Sequence, residues 1–539
     1  MKKQLLLFIL SVFILPGFLH VSCHGQAVSS EKTIVVVGSS VASGWVSSYK
    51  EKYDMQNGYL TRLSRKMEPE GWTIINKSVP GFDTKASIKL LQEELVALDP
   101  DFIYIGLSMS NEGLETEDPD SVSESYEKGL RKLIELCENE NIRPVVGLCY
   151  PNDNYTPLQY EYLKKMNLKI SEWGVPCINL LGALDNGEGH FPQGVTFDPN
   201  HPGNLGHEEF YYSIPIDLFD ALSLGKKVNM SLPDGDGLKL GKKAGYNQLS
   251  YVPGSLIHSF SQAFSFKTSR KDKLAEILSN AGSHLITLDS DKRLVYQSPN
   301  GSIRSIEKCK GREWQQIVIT HSYLNSKTSL YLDGELQGIL SEQCEPHEFI
   351  LGNGVKEAGY KNLLLYRAAL NHDEVSELFK GKVLPGSLEI ASALNDDGLE
   401  KNVALSNMAL SLSQAILDPA GADKRRSDLK REINMASIAR DNELKVDYKQ
   451  PIKLDPAVYD LYTGKYEIAP GDYFEVIRKE DRLFFADRGN EAELLPESRN
   501  KFFIRYPADL TITFSIKDGL VSGLVFSVNG REMKAKKAD

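Results

Sequence analysis

Cysteine is scarce in this chain. Only six cysteines occur among 539 residues, and no two of them form a C-x-x-C pair. So sparse a set excludes a fold held together by disulfides and a zinc knuckle built from paired cysteines. One disulfide between Cys309 and Cys344 is compatible with an exported protein, and the sequence leaves that pairing open.

Basic residues are outnumbered as well. The chain has 62 Lys and Arg against 73 Asp and Glu, a formal net charge of −11, and no basic stripe. We therefore expect no nucleic-acid partner. No apolar run after Leu19 is long enough to cross a bilayer. The length and ordinary composition, with 41% hydrophobic residues, predict two to four folded domains.

The first 27 residues have the features of a secretory signal peptide. Two lysines precede the apolar run Leu5–Leu19, and the small residues Gly25 and Ala27 follow it. An uncleaved anchor is disfavoured because the run is short and contains Pro16. Cys23 lies in an imperfect lipoprotein site, so cleavage after Ala27 and lipidation of Cys23 both remain open. Either outcome predicts an exported protein that is periplasmic, secreted, or associated with the outer membrane or cell surface.

Residues 28–224 alternate between short apolar strands and amphipathic helices such as Ala86–Leu98 and Tyr126–Cys137. This pattern predicts an α/β domain with a parallel sheet covered on both faces. Ligands of such sheets bind beyond the carboxyl ends of the strands. The predicted strands are Thr33–Val37, Thr73–Asn76, Phe102–Gly106, Pro144–Cys149 and Pro176–Leu180.

The rest of the chain divides into three parts. Residues 225–384 lose the helical period, and runs such as Gln316–His321 and Ser329–Leu332 predict antiparallel strands. Residues 385–455 are charged and helical in places, which is typical of a linker. Residues 456–539 predict closely spaced short strands again.

Ser40 is the candidate nucleophile. The first strand runs into Gly38-Ser39-Ser40 and then a helix, which places Ser40 at the carboxyl edge of the sheet. The start of that helix offers backbone N–H groups to a developing oxyanion. Small residues after a first strand also occur in phosphate-binding loops, but the lysine of the P-loop motif is missing here.

Asp198 and His201 are the candidate partners of Ser40. A serine hydroxyl needs a base, and that base needs an orienting group. Asp198-Pro-Asn-His201 lies just before the last predicted helix of the domain, so one turn supplies both. An isolated D-x-x-H also fits a plain turn or a helix cap. A metal site formed with His190 and His207 is a further alternative, although the spacing matches no common zinc motif.

Four segments in this order resemble the sequence blocks of the SGNH (GDSL-type) hydrolases, which have a flavodoxin-like fold. Gly38-Ser39-Ser40 resembles the nucleophile block, and Asp198–His201 resembles the last block. Asn76–Gly81 and Ile105–Glu112 resemble the second and third. The resemblance implies that Ser40 is the nucleophile, His201 the base and Asp198 its orienting group. It also implies an oxyanion hole formed by the Ser40 and Gly81 N–H groups and the Asn111 side chain, with no cofactor and no metal.

Three positions depart from that family's pattern. Ser39 replaces an aspartate, Met109 replaces a glycine, and Glu112 replaces an aspartate. The groups expected to act on substrate are unchanged, so these departures concern the shape of the pocket.

The later regions resemble other modules. Trp314–Thr320, Ser329–Glu335 and Tyr360–Asn371 resemble segments of LamG-like (concanavalin-type) jelly rolls, which often bind glycans. Leu461–Tyr466, Asp481–Phe485 and Leu494–Ser498 resemble a small β-barrel found in some exported hydrolases.

Together these features predict an exported serine esterase that hydrolyses acyl esters, with acetyl groups on a small molecule or glycan as the expected substrate. The alternative is a glycan-binding surface protein whose SGNH-like domain is inactive. The glycan part of both readings comes from the LamG-like neighbour alone.

Overall fold

The fold was analysed in a computed structural model of the chain. The structure describes residues 32–45, 55–228, 230–242, 244, 248–268, 272–353, 355–394, 419–441, 451–487, 490–504, 511–528 and 531–538. The predicted signal peptide and Cys23 lie outside these residues.

The first region is built on a five-stranded parallel sheet of order β2-β1-β3-β4-β5. All five strands occur where the apolar runs predicted them, although the last is only two residues long. The middle strand β3 is buried along its whole length, as expected for a sheet covered on both faces. The bounds are β1 Lys32–Gly38, β2 Trp72–Asn76, β3 Phe102–Gly106, β4 Arg143–Gly147 and β5 Cys177–Ile178.

Helices connect these strands, and three begin at a side-chain cap. Asp83 caps the helix that starts at Thr84. The side chain of Asp118 caps the longest helix, and a Thr156–Gln159 capping box begins the next. The predicted helix Ala86–Leu98 is observed as one α-helix followed by a π turn and a 3₁₀ turn that end at Leu98. The helices are α1 Ser40–Ser43, α2 Tyr59–Met67, α3 Thr84–Leu90, α4 Pro119–Asn139, α5 Pro157–Ser171, α6 Leu181–Leu184, α7 Asn204–Tyr212 and α8 Leu218–Ser223.

A short hairpin precedes α7. It consists of β6 Thr196–Asp198 and β7 His201–Pro202, which pair so that Asp198 lies opposite His201. The two-residue turn between them is Pro199-Asn200.

The middle region contains two antiparallel sheets that share one hydrophobic core. The first has the order β17-β16-β15-β10-β19-β20, with β8 also paired to β19. Its bounds are β8 Leu238–Leu240, β10 Phe260–Lys267, β15 Gln315–Ser322, β16 Lys327–Leu332, β17 Glu335–Ser341, β19 Ala358–Tyr366 and β20 Leu388–Ser392. Strand β20 extends the sheet past residue 384, where the sequence placed the start of the linker.

The second sheet has the order β14-β13-β12-β11-β18-β9. Helix α9, His372–Phe379, begins at a capping box formed by Asn371 and Glu374. The strand bounds are β9 Leu249–Tyr251, β11 Asp272–Ser279, β12 Gly282–Leu288, β13 Arg293–Ser298, β14 Gly301–Lys308 and β18 Pro346–Leu351.

The first and middle regions pack against each other. One hydrophobic cluster contains Phe210 and Leu184 from the first region and Tyr366 and Val318 from the middle region. The contact is also polar, because the Asn179 backbone N–H donates to the Ser387 hydroxyl at 2.7 Å. The two regions therefore share a continuous core and do not sit apart on a loose tether.

Beyond residue 418 the chain forms a helix and a barrel. The linker helix α10, Pro419–Asp441, packs Leu429 and Ile433 on Leu256, and Arg426 binds Glu348 through two nitrogens. The parts of the linker at 395–418 and 442–450 lie outside the described residues.

The last region is a closed barrel of eight antiparallel strands, as predicted. Aromatic side chains fill much of its core, including Tyr466, Phe474 and Phe514. Its strands are β21 Gly464–Ala469, β22 Asp472–Lys479, β23 Arg482–Asp487, β24 Asn490–Pro496, β25 Lys501–Phe503, β26 Thr511–Lys517, β27 Leu520–Val528 and β28 Arg531–Lys537.

Two further expectations concern cysteines and membranes. Cys309 and Cys344 are buried free thiols, so the pairing left open by the sequence is not formed. Within the described ranges, none of the helices combines the length and apolar character that a membrane span requires.

Candidate active site

Ser40 lies where the first strand meets the first helix. It is the first residue of α1, and Ser39 precedes it as the N-cap. The close approach of α1 to the sheet requires glycine at Gly38, because a Cβ there would lie 2.6 Å from the Ala42 Cβ. The turn therefore presents the Ser40 side chain at the carboxyl edge of the sheet, half-buried and open to solvent on one side.

Asp198 and His201 flank the turn of the β6–β7 hairpin. His201 Nδ1 lies 2.8 Å from Asp198 Oδ1 and 2.9 Å from Asp198 Oδ2. The Asn200 backbone N–H also donates to Asp198 Oδ1, at 2.8 Å. The carboxylate is thus fixed from two sides, and a fixed carboxylate holds the imidazole in one orientation.

The three side chains form one hydrogen-bonded chain. His201 Nε2 lies 2.8 Å from the Ser40 Oγ, across 161 residues of sequence. The side chain of Asp198 is 1% exposed, whereas that of His201 is 16% exposed. The buried carboxylate is therefore shielded from water while the serine and imidazole still meet the solvent. This order of groups can move a proton from a serine hydroxyl to an imidazole.

Gly81 and Asn111 converge on the hydroxyl of Ser39. The Gly81 N–H donates to Ser39 Oγ at 3.2 Å, and Asn111 Nδ2 donates to the same oxygen at 2.9 Å. Ser39 is completely buried. Gly81 has a φ of +83°, a backbone conformation that favours glycine. The structure thus brings both residues beside Ser40 and joins them through Ser39.

The departures from the family pattern each have a physical explanation. Ser39 accepts the two hydrogen bonds that fix the neighbouring donors. Met109 is fully buried in the core beneath the loop. Glu112 Oε1 accepts a hydrogen bond from the Thr84 N–H at 2.6 Å and so joins two loops of the site. None of these side chains obstructs the serine.

An open cleft of about 420 Å³ surrounds Ser40 and His201. Its size is within the range of small-molecule sites. Aromatic surface comes from Trp45 and Tyr150. The remaining lining residues are Pro80, Gly81, Ser110, Asn111, Glu115 and Asn200.

One side of this cleft carries a group of polar side chains that the sequence did not single out. We call this group the polar wall; Ser110, Glu115 and Asn200 line the cleft, and Asn152 and Asn154 are hydrogen-bonded to Glu115. The Glu115 carboxylate accepts hydrogen bonds from Ser110, Asn152 and Asn154, at distances of 2.6 to 2.9 Å. Pro151–Asn154 follows β4, so the rule that ligands bind beyond strand ends could have pointed to it.

The alternative metal site is not assembled. His190 Nε2 lies 2.8 Å from the Tyr155 carbonyl oxygen. His207 contacts backbone groups of Tyr59 and Trp45 instead, and burial lowers the pKa of His207 to about 3. Within the parts of the chain that the structure describes, no three histidine, cysteine or carboxylate side chains converge as metal ligands.

Comparison with known families gives one match. Residues 36–209 match the sequence model of the GDSL-like Lipase/Acylhydrolase family. This segment contains the end of β1, the strands β2 to β5 and all five predicted site residues. A search of curated proteins gave no significant match.

Several solved structures resemble the same third of the chain. The psychrotrophic esterase EstA from Pseudoalteromonas sp. is 21% identical, with 33% of this chain and 94% of that chain covered and a TM-score of 0.27. A mutant of Axe2, an acetyl-xylooligosaccharide esterase from Geobacillus, is 16% identical, with 34% and 91% covered and a TM-score of 0.29. TesA is 18% identical, with 33% and 94% covered and a TM-score of 0.28.

The family match covers most of the parallel sheet. The segment 36–209 is therefore similar to the GDSL-like lipase/acylhydrolases, and this similarity supports a carboxylic ester hydrolase.

Proposed function

We propose that this protein is an exported serine esterase in which Ser40, His201 and Asp198 form the catalytic triad. The observation that carries the proposal is the unbroken chain from the Asp198 carboxylate through His201 to the Ser40 Oγ, with both hydrogen bonds at 2.8 Å. It lies in an open cleft inside the segment that matches an ester hydrolase family.

The reaction begins with attack by Ser40. His201 Nε2 takes the hydroxyl proton as the Oγ forms a bond to the ester carbonyl carbon. Asp198 stabilises the imidazolium that results and keeps the ring in place. The tetrahedral intermediate then breaks its bond to the alcohol oxygen, which receives the proton from His201. The products of this step are the free alcohol and an acyl group on Ser40.

Water completes the cycle. His201 takes a proton from water as the water oxygen attacks the acyl carbon, and returns it to Ser40 as the acid leaves. In both steps the oxyanion receives hydrogen bonds from the Ser40 N–H and from Asn111 Nδ2. Gly81 has a single N–H, which donates to Ser39 Oγ at 3.2 Å, so in the proposed reaction it shares or exchanges that acceptor for the oxyanion. The Asn111 amide has two N–H groups, so it can donate to the oxyanion while it also donates to Ser39. Ser39 then acts as a positioning residue for the hole.

The wider proposal concerns export and the substrate. The charged start and apolar run of the first 27 residues support export, with or without a lipid on Cys23. We assign the two-sheet middle region to the LamG-like jelly rolls on its sequence segments. That assignment favours an acyl ester on a glycan or a related small molecule, with acetyl as the acyl group.

Hydrolysis of a short-chain aryl ester tests the triad. The wild-type full chain should release p-nitrophenol from p-nitrophenyl acetate, and His201→Ala should reduce kcat/KM by about 10³-fold or more because the general base is lost. His190→Ala is the matched control, since His190 contacts a backbone carbonyl outside the triad. A wild-type chain without turnover would instead favour the alternative of a glycan-binding surface protein.

A further inference from the structure

The polar wall of the cleft has a fixed arrangement of hydrogen-bonding groups. Glu115 Oε1 accepts from the Ser110 hydroxyl at 2.6 Å and from Asn152 Nδ2 at 2.7 Å. Glu115 Oε2 accepts from Asn154 Nδ2 at 2.9 Å. A carboxylate has about four acceptor positions. Three are used by these donors, so Oε2 retains an acceptor position at the cleft.

The carboxylate determines how the neighbouring amides are turned. Because a carboxylate only accepts, Asn152 and Asn154 must direct their nitrogens toward Glu115. These nitrogens also contact Asn200 Oδ1, at 2.9 and 3.1 Å. Asn200 must therefore direct its oxygen toward them, which leaves its Nδ2 group as a donor on the cleft side. One acceptor and one donor thus stand next to each other on this wall.

The position of the polar wall in the cleft suits contact with the alcohol half of the ester. Asn200 is the residue before His201, and His201 Nε2 delivers the proton to the departing alcohol oxygen in the proposed reaction. Asn200 and Glu115 line the same cleft as Ser40 and His201, into which a group attached to that oxygen would extend. Trp45 and Tyr150 add aromatic surface to the same cleft. Its volume of about 420 Å³ accommodates an alcohol of the size of a sugar ring.

We propose that the polar wall selects esters of polyhydroxylated alcohols, with Glu115 accepting a hydrogen bond from one free hydroxyl and Asn200 Nδ2 donating to its neighbour. Adjacent hydroxyls both donate and accept, which matches this pair of groups. The three side chains that donate to Glu115 are neutral, so none of them forms an ion pair with the carboxylate. This inference rests on the proposed esterase function and adds the specificity of the same cleft.

Two esters with the same acyl group separate recognition from chemistry. We would measure kcat/KM of the full chain for 6-O-acetylglucose, which has free adjacent hydroxyls, and for p-nitrophenyl acetate, which has none. Glu115→Gln should lower the first value by about 10- to 100-fold more than the second, because a hydrogen bond to a charged group is lost. Glu117→Gln is the matched control, since Glu117 is exposed and does not line the cleft.

A third substrate tests whether the Glu115 carboxylate binds a cation instead of a hydroxyl group. Acetylcholine places a cation on the alcohol half of the ester. If Glu115→Gln reduced turnover of acetylcholine selectively and left the sugar ester unaffected, the wall would bind a cation and the polyol proposal would be wrong. An unchanged ratio for the sugar and aryl esters would overturn it as well.

The failure of this proposal can be told apart from failure of the esterase proposal. If the wild type hydrolyses p-nitrophenyl acetate in a His201-dependent way but the ratio does not respond to Glu115→Gln, the triad stands and the polar wall has no role in specificity. If the wild type hydrolyses none of the three esters, both proposals are contradicted together.

Discussion

The described residues include a serine–histidine–carboxylate arrangement in the α/β region and another in the two-sheet region. In the first, His201 lies 2.8 Å from both the Ser40 Oγ and an Asp198 oxygen. In the second, His284 Nε2 lies 2.8 Å from the Ser279 Oγ, and its Nδ1 lies 3.7 Å from Glu342 Oε2. The hydrogen bond to serine has the same length in both places.

The surroundings differ. His201 is 16% exposed and lines a cleft, whereas His284 is completely buried. Burial lowers the pKa of His284, since the charged ring loses its hydration. The Tyr296 hydroxyl also lies 3.0 Å from His284 Nδ1, so the ring is held as part of a core network. Hydrogen bonding between serine and histidine therefore defines a reactive site only where substrate and oxyanion donors reach the serine.

The largest effect is expected when Ser40 and Ser279 are replaced in turn and ester hydrolysis is measured. Ser40→Ala should reduce the kcat/KM for p-nitrophenyl acetate by about 10⁴- to 10⁶-fold, because the nucleophile is removed. Ser279→Ala should retain the wild-type rate, since Ser279 has no part in the reaction. Steady-state kinetics on both purified variants checks this. A large loss in Ser279→Ala with intact folding would contradict the comparison.

A smaller effect is expected from the proposed oxyanion hole beside Ser40. Asn111→Ala should lower kcat by about 10²- to 10³-fold, because an oxyanion donor is lost. Ser39→Ala keeps all donors but removes their shared acceptor, so we expect only a five- to tenfold loss, equivalent to about 1 kcal/mol. Equal losses in the two variants would show that Ser39 does more than position its neighbours.

No change in activity is expected in the last prediction, which concerns His321 of the middle region and the pH dependence of stability. Burial lowers the pKa of His321 to about 3, while an unfolded histidine has a pKa of about 6.5. As the pH falls from 6.5 toward 3, only the unfolded state binds this proton. The free energy of unfolding should therefore decrease by up to about 1.4 kcal/mol per pH unit for this group.

Urea unfolding between pH 7 and pH 4 measures that decrease. His321→Gln removes the titrating ring and should make the pH dependence shallower than in the wild type. The Gln side chain can still hydrogen-bond to Thr328, which contacts His321 Nδ1 at 2.8 Å. The same slope in both proteins would contradict the effect of burial.

Much of the site could be predicted from sequence because the parallel sheet gathers separated segments at one edge. Ser40, Gly81 and Asn111 each follow a strand, and Asp198 and His201 are close in sequence. The signals for these strands were strong because each is a buried apolar run. The sequence also predicted the antiparallel strands of the middle region and the barrel at the end.

Other features depend on contacts that a sequence pattern does not reveal. The role of Ser39 requires knowing that two loops meet at its hydroxyl. The polar wall joins residues from three loops, and none of its members has a distinctive spacing. The second arrangement consists of Ser279, His284 and Glu342. Ser279 and His284 meet because β11 pairs with β12, and Glu342 directly follows β17, far along the chain.

Covalent labelling tests the central claim most directly, because it reports which serine is activated. The wild-type protein would be treated with a fluorophosphonate, and the modified peptide would be identified by mass spectrometry. We predict that the label is attached to Ser40, that Ser40→Ala and His201→Ala are unlabelled, and that Ser279→Ala is labelled like the wild type. An unlabelled wild type, or equal labelling of Ser40→Ala, would contradict the assignment of Ser40 as the nucleophile.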